Sequence, residues 1–333
     1  MILAAGYGTR LWPLTIDRTK PAIPVLGRPL VGYVAEYLAG FGIQEVLVNV
    51  HHRPESVRAA LGDGSRFGVK LSYIEESEIL GTSGALDNAR GWLEGGPFVV
   101  VNGKIVTDID LSAALAAHRQ SGALATLVLR PNPLRERFSQ VFTNSEGWLQ
   151  GFGGMPAAAS DNETDSSAVG PQMFTGIQIL QPEIFRYIPR GRFSHLTTDV
   201  YLPAVAAGEK IGTYLADNAN WHELSTIERY LDTTIELLRG LGQTVALSEG
   251  AYIAPGAEVS QAILWENAQV ANGARVREAI LGAGVRVAAG EVWERVVLVR
   301  RELLEGQSAP EKARTGYYAG DNFVAPLGYC KMV

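Results

Sequence analysis

Over the first 130 or so residues, apolar positions gather in short, almost unbroken runs: "MILAA", "EVLVNV", "VKLSYI", "FVVVN" and "ALATLVL". Runs this apolar suit strands covered by helices on both faces. Helical patterns lie between them. In "LVGYVAEYLAGFG", Val31, Val34 and Leu38 recur at helical spacing, and Gly40 and Gly42 stand where such a helix would end. "VTDIDLSAALAAH" reads as a strand end turning into a second helix. The alternation predicts an α/β fold, a doubly wound, mostly parallel sheet of Rossmann-like type. Beyond residue 138 the pattern loosens. "PAAASDNETDSSAVG" (156–170) is small, polar and acidic, and reads as a mobile loop. "MFTGIQIL" is a further strand, and Ser225 with Glu228 forms a capping-box pair opening a helix to about Gly240.

The last third has a different period. Ile253, Val270 and Val287 align at intervals of 17 residues, as do Gly256, Gly273 and Gly290. Val259, Val276 and Trp293 form another column, and Leu264, Leu281 and Leu298 a fourth. Such self-similarity marks a solenoid of short parallel strands, each coil burying its apolar corners by stacking on the next. Trp265 and Trp293 read as exposed corners, set either to meet a neighbouring copy or to cap the solenoid's own core. The expected division is a first domain over 1–245, the solenoid over 246–305 and an extension over 306–333 that closes the open end of the stack.

Composition narrows the partners. The 333 residues carry a formal net charge of -6 with 19% charged residues, so no global basic field favours nucleic acid or an anionic membrane. The single cysteine, Cys330, offers no internal disulfide, no apolar run reaches membrane-spanning length, and "MILAA" reads as a strand rather than a leader. A cytoplasmic protein is expected. A polyanion would have to be held by a few placed groups, and the amino-terminal segment supplies them. Gly6-Tyr7-Gly8-Thr9-Arg10 follows the first strand directly, and Lys20 comes one loop later, in a loop stiffened by Pro21 and Pro24. Glycines let backbone N–H groups close on an anion, arginine offers a planar fork to phosphate oxygens, and lysine a point charge. A strand followed by Gly-x-Gly is weak evidence alone, since many doubly wound sheets carry one.

The whole run "LAAGYGTRLWPLTIDRTKPAIPVLGRP" resembles the signature of the sugar-1-phosphate nucleotidylyltransferases. "ILGTSGAL", "VVNGKIVTDIDL", "FTGIQIL" and "WHELSTIERYL" follow in the order of that family's later segments, and the repeat resembles the left-handed β-helix of its mannose-1-phosphate guanylyltransferase-like branch. The resemblance implies in-line attack of a sugar-1-phosphate oxygen on the α-phosphate of a nucleoside triphosphate, with pyrophosphate leaving. By motif position, Leu3, Ala5 and Gly6 would contact base and ribose. Gly8, Thr9 and Arg10 would cradle the triphosphate, beside Lys20. Glu76, Gly81 and Thr82 would line the base pocket, Asn102 and Gly103 would lie near the nucleotide, and Thr175 and Gly176 would face the sugar phosphate. GTP and mannose 1-phosphate are the favoured substrates. The solenoid would serve as an oligomerisation or regulatory surface, in a homo-oligomer or a hetero-oligomer with an active homologue.

Three positions depart from the family pattern. Lys104 stands where "NGD" carries the Mg²⁺-binding aspartate; "WHELSTI" offers Glu223, Ser225 and Ile227 for "WxDxGTP"; and "FGGMP" has Gly154 and Met155 for the Glu-Lys pair of "FxEKP". A lysine cannot ligate a hard cation, which takes oxygen donors. Lys104 is therefore expected either to neutralise the α-phosphate itself, with Asp108, Asp110 or Glu223 holding a displaced Mg²⁺, or to mark a degenerate member that binds a nucleotide sugar and regulates a partner. Lys104, Arg135 or Arg137 would replace the missing sugar-phosphate cation. His51 and His52 read as loop residues, because adjacent side chains diverge; His222 and Trp12 read as packed. Acetyl transfer, known for β-helices of this kind, would need a histidine base. The last histidine is His222, ahead of the repeat.

Overall fold

A computed structural model describes residues 1–132, 140–153, 155–156, 171–311 and 313–328. Of the loop expected over 156–170, residues 157–170 lie outside the described residues, as do Arg135, Arg137, Gly154 and Cys330. Four strands run parallel, in the spatial order Lys70–Glu75, Glu45–Val50, Ile2–Leu3, Phe98–Asn102. Ile2–Leu3 is central, so its carboxyl end delivers the following glycine turn to the middle of the sheet edge, where doubly wound folds bind ligands. The next strand, Gln172–Leu180, is antiparallel to Phe98–Asn102. Ala125–Pro131 pairs antiparallel with Gln172–Leu180 and parallel with Ile211–Leu215. The run "ALATLVL" thus belongs to the mixed half of the sheet, because an antiparallel strand from later in the chain separates it from the parallel half. Cores cover both faces: Val31, Val34 and Leu38 of the helix Leu30–Gly40 pack on one side, and Leu86, Ile184 and Tyr201 on the other.

The repeat forms three parallel ladders, and their register reproduces the columns read from the sequence: Ile253 beside Val270 beside Val287, Val259 beside Val276 beside Trp293, Leu264 beside Leu281 beside Leu298. One ladder differs from the others. On the faces carrying Gln269 and Arg286, or Glu258 and Arg275, the outward side chains are exposed and mostly polar, with Tyr252 and Val292 the apolar members. On the third, Leu264, Leu281 and Leu298 point into the coil while Ile263, Ile280 and Val297 are buried in a second core. That second core also contains Leu11, Trp12, Leu14 and Ile16 of the amino-terminal segment and Ile227, Tyr230, Leu231 and Leu238 of the helix Ile227–Gly240. The solenoid is therefore built into the wall behind the glycine turn. Asn322–Pro326 adds antiparallel to Val296–Arg300, and Tyr317–Ala319 adds to it in turn.

Two expectations are corrected here. Trp265 is no exposed corner: it is 1% exposed, with its indole N–H donating to the Tyr230 hydroxyl at 2.9 Å and the Arg18 guanidinium 4.6 Å above its ring. Facing the joint core, the ring gains burial and keeps its polar handle satisfied. The cap of the helix Ile227–Gly240 is Thr226, whose hydroxyl accepts from the Arg229 N–H at 3.3 Å. Ser225, one residue earlier, faces the cavity described next.

Candidate active site

A cavity of about 470 Å³ opens at the carboxyl ends of the central strands. The first strand ends in Leu3 and leads into Gly6, Tyr7, Gly8, Thr9 and Arg10, all of which line it. Gly8 has φ 67°, and a Cβ there would sit 2.9 Å from the Lys20 Cβ. The turn thus needs glycine both for its left-handed conformation and for the close approach of Lys20. Lys20 opens the short helical turn Lys20–Ala22, and Thr19 before it is tied by its N–H to the Ser56 hydroxyl at 3.0 Å. Burial pushes the Lys20 ammonium down to about 7, with repulsion from Lys104 and Arg10 adding to the fall and Glu223 opposing it.

Lys104 enters from the other side of the sheet. Phe98–Asn102 ends at Gly103, and the strand Ile105–Thr107 pairs antiparallel with Trp221–Glu223, Ile105 opposite Glu223. The Leu224 N–H donates to the Lys104 carbonyl at 3.0 Å, which locks this two-stranded unit at the cavity wall. The pairing brings the Lys104 ammonium into an ion pair with Glu223 Oε1. Glu223 is 5% exposed, and its Oε2 has no hydrogen-bond partner among the described residues. Burial alone would push this carboxyl up, but Lys104, Ser225 and Lys20 outweigh it and hold it below the usual range. Two lysines, Lys104 and Lys20, therefore act on one buried carboxylate.

The structure brings together Leu3, Gly6, Gly8, Thr9, Arg10, Lys20, Thr82, Asn102, Gly103 and Lys104 of the residues expected at the site. Others are used elsewhere. Glu76 is buried and accepts from the Asn49 side-chain amide at 2.7 Å and from the Leu80 N–H at 3.0 Å; Asn49 Oδ1 in turn accepts from the Ala4 N–H. Glu76 is a strut behind the turn rather than a lining group, since both its oxygens are spent. Gly81 lies against the Ser194 carbonyl, which a Cβ would approach to 2.4 Å, and Ala5 is buried outside the lining. Thr175 donates its hydroxyl to the Val128 carbonyl at 2.8 Å, and Gly176 backs the Asn102 side chain.

The pair suggested for Mg²⁺, Glu223 and Asp108, is engaged with other groups. Both oxygens of Asp108 accept from Asn220, at 2.7 and 2.6 Å, Asp110 caps a helix by accepting from the Ala113 N–H, and Glu223 holds Lys104. Among the described residues no group of three or more His, Cys, Asp or Glu side chains is placed to hold a metal ion. His51 donates from Nδ1 to the Glu76 carbonyl at 2.8 Å and lies edge-on to Tyr7, while His222 sits 3.7 Å from Glu236. Trp12 packs on Phe323. Sequence reasoning missed Ala4, Tyr7, Pro21 and Ser225 as lining residues. For Ser225 the signal was available: two hydroxyl residues in succession allow one to cap while the other faces away.

Residues 1–240 match the nucleotidyl transferase family. The chain belongs to that family. Among curated relatives, a UTP–glucose-1-phosphate uridylyltransferase from Synechocystis is 34% identical over 62% of this chain and 55% of its own length. A mannose-1-phosphate guanylyltransferase from Mycobacterium tuberculosis is 30% identical over 77% of this chain and 72% of its own. An N-acetylmuramate alpha-1-phosphate uridylyltransferase from Neisseria meningitidis is 35% identical over 59% and 80%. The fold is similar to that in the crystal structure of HddC from Yersinia pseudotuberculosis, at TM-score 0.58 and 21% identity, over 71% of this chain and 97% of that one. Among the described residues of this family member, no helix is long and apolar enough to cross a membrane.

Proposed function

We propose that the protein transfers a nucleoside monophosphate from a nucleoside triphosphate to a sugar 1-phosphate, releasing pyrophosphate. The observation that carries this reading is the cluster of Arg10, Lys20 and Lys104 around the Gly8 turn in one cavity. A phosphate oxygen of the sugar 1-phosphate attacks the α-phosphorus in line, and the bond to the β-bridging oxygen breaks with its electron pair leaving on pyrophosphate. Such chemistry needs positioning and charge neutralisation more than covalent help. Arg10 and Lys20 take the β- and γ-phosphates and then the leaving pyrophosphate. Lys104, 33% exposed at the opposite wall, takes the α-phosphate and the incoming phosphate. Leu3, Thr82 and Asn102 form the floor and side on which base and ribose rest.

Guanylyl transfer to mannose 1-phosphate is the first choice of substrates, because the mycobacterial relative matched over 77% of this chain bears that name. The test is pyrophosphate release by the full chain with a panel of triphosphates and sugar 1-phosphates, with GTP and mannose 1-phosphate expected to lead. A second reading, a non-catalytic nucleotide-sugar binder acting on a partner, is favoured by the Lys104–Glu223 pair, which ties up the carboxylate. Tight binding of GDP-mannose with no turnover on any combination would select it. Under either reading the protein is expected in the cytoplasm as an oligomer, which light scattering of the purified chain tests.

A further inference from the structure

The geometry points to Lys104 as a fixed replacement for a divalent cation: we propose that this cavity takes a nucleoside triphosphate as the metal-free polyanion. The inference rests on the nucleotide-binding reading above and adds the ionic form of the ligand.

The donor set argues first. A hard divalent cation wants several oxygens, carboxylates among them. The residues lining the cavity include no carboxylate; Glu223 stands behind Lys104, whose ammonium is already bonded to its Oε1. The neighbouring acids are spent: Asp108 on Asn220, and Asp110 on its helix cap. A cation seated on Glu223 would have to evict the ammonium or rest against it, like charge at contact distance in a half-desolvated site.

Backbone geometry argues next. The Lys104 N–H donates to the Asn102 carbonyl at 2.8 Å, and its carbonyl accepts from the Leu224 N–H at 3.0 Å. The main chain is held on both sides, and the side chain remains 33% exposed toward the cavity while its partner is buried at 5%. Glu223 therefore anchors a cation that a ligand can still reach.

Charge balance completes the case. With Lys20 only partly protonated near neutral pH, Arg10, Lys20 and Lys104 still outnumber Glu223 by at least one positive charge, and Lys104 and Arg10 already press on Lys20. An added divalent cation would raise that excess. A triphosphate arriving without metal removes it.

The experiment is isothermal titration of the full chain with GTP and with UTP, each in EDTA and in excess Mg²⁺. The expected result is equal or tighter binding in EDTA, with Lys104→Gln weakening the metal-free affinity by about ten- to a hundredfold, the range for a lost charge-assisted hydrogen bond. Lys104→Asp is expected to bind only with Mg²⁺. Lys104→Arg keeps the charge and the partner and is expected to retain metal-free binding. Should Lys104→Gln fail to fold because Glu223 is left alone, Lys104→Gln/Glu223→Gln removes the pair together and carries the same expectation. Wild-type binding at least about tenfold tighter in Mg²⁺ than in EDTA would overturn the inference and leave the nucleotide-binding reading standing. No binding of either nucleotide in both media would overturn the two together.

Discussion

Lys20 makes proton uptake a signature of ligand binding. Free in water its ammonium titrates near the ordinary lysine value, but in the folded site burial, with Lys104 and Arg10 behind it, lowers the pKa to about 7. A polyphosphate in contact with it reverses the sign of the local field and restores the charged form. At pH 8 a group with a pKa of about 7 is roughly 10% protonated, so binding takes up about 0.9 proton; at pH 6 it takes up about 0.1. Affinity falls accordingly as pH rises, about eightfold between pH 7.5 and 8.5, because the competent form becomes scarcer. The assay is calorimetric titration with a nucleoside triphosphate in two buffers of different ionisation heat, the difference in observed heat giving the protons taken up. Lys20→Arg is the control, since guanidinium stays charged throughout and is expected to show neither uptake nor pH slope. Equal heats in both buffers at pH 8, with wild type and Lys20→Arg sharing one flat affinity profile, would refute the placing of Lys20 against the phosphates.

Three further outcomes are expected. Gly8→Ala puts a Cβ 2.9 Å from the Lys20 Cβ in a left-handed turn, so it should cost about 1–3 kcal/mol in urea unfolding and weaken triphosphate binding. Thr226→Ala should lose about 1 kcal/mol of stability in the same assay through the missing cap, whereas Ser225→Ala should leave stability nearly intact and change ligand affinity. Trp265→Ala empties the joint core and removes the indole donor to the Tyr230 hydroxyl and the ring beneath Arg18, so thermal or urea unfolding should record a loss of about 3–5 kcal/mol, with weakened nucleotide binding because the amino-terminal segment rests on that core.

Much of this architecture was legible in advance. The solenoid's columns became its ladders because a 17-residue repeat of apolar corners can bury itself only by stacking like on like. The glycine turn with Arg10 and Lys20 was legible for a similar reason: its chemistry lies within twenty consecutive residues and needs no distant partner to be recognised. One signal in the repeat went unread. Ile263, Ile280 and Val297 form an outward apolar column where the other faces carry Gln269, Arg286, Glu258 and Arg275, and that column marks the face joined to the first domain.

What sequence determined alone was whatever depends on near neighbours or on strict repetition: the strand runs, the coil period, the glycine turn and the odd lysine at position 104. Tertiary structure decided every pairing across long separations. It spent Glu76 on Asn49 and Leu80, took Asp108 and Thr175 out of the site, and buried Trp265 under Arg18. It also set Lys104 against Glu223, 119 positions away, through a two-stranded pairing that no local pattern encodes. The physical reason is that a side chain's partner depends on which surfaces meet, and those meetings are settled by burial of the whole core rather than by the residues on either side.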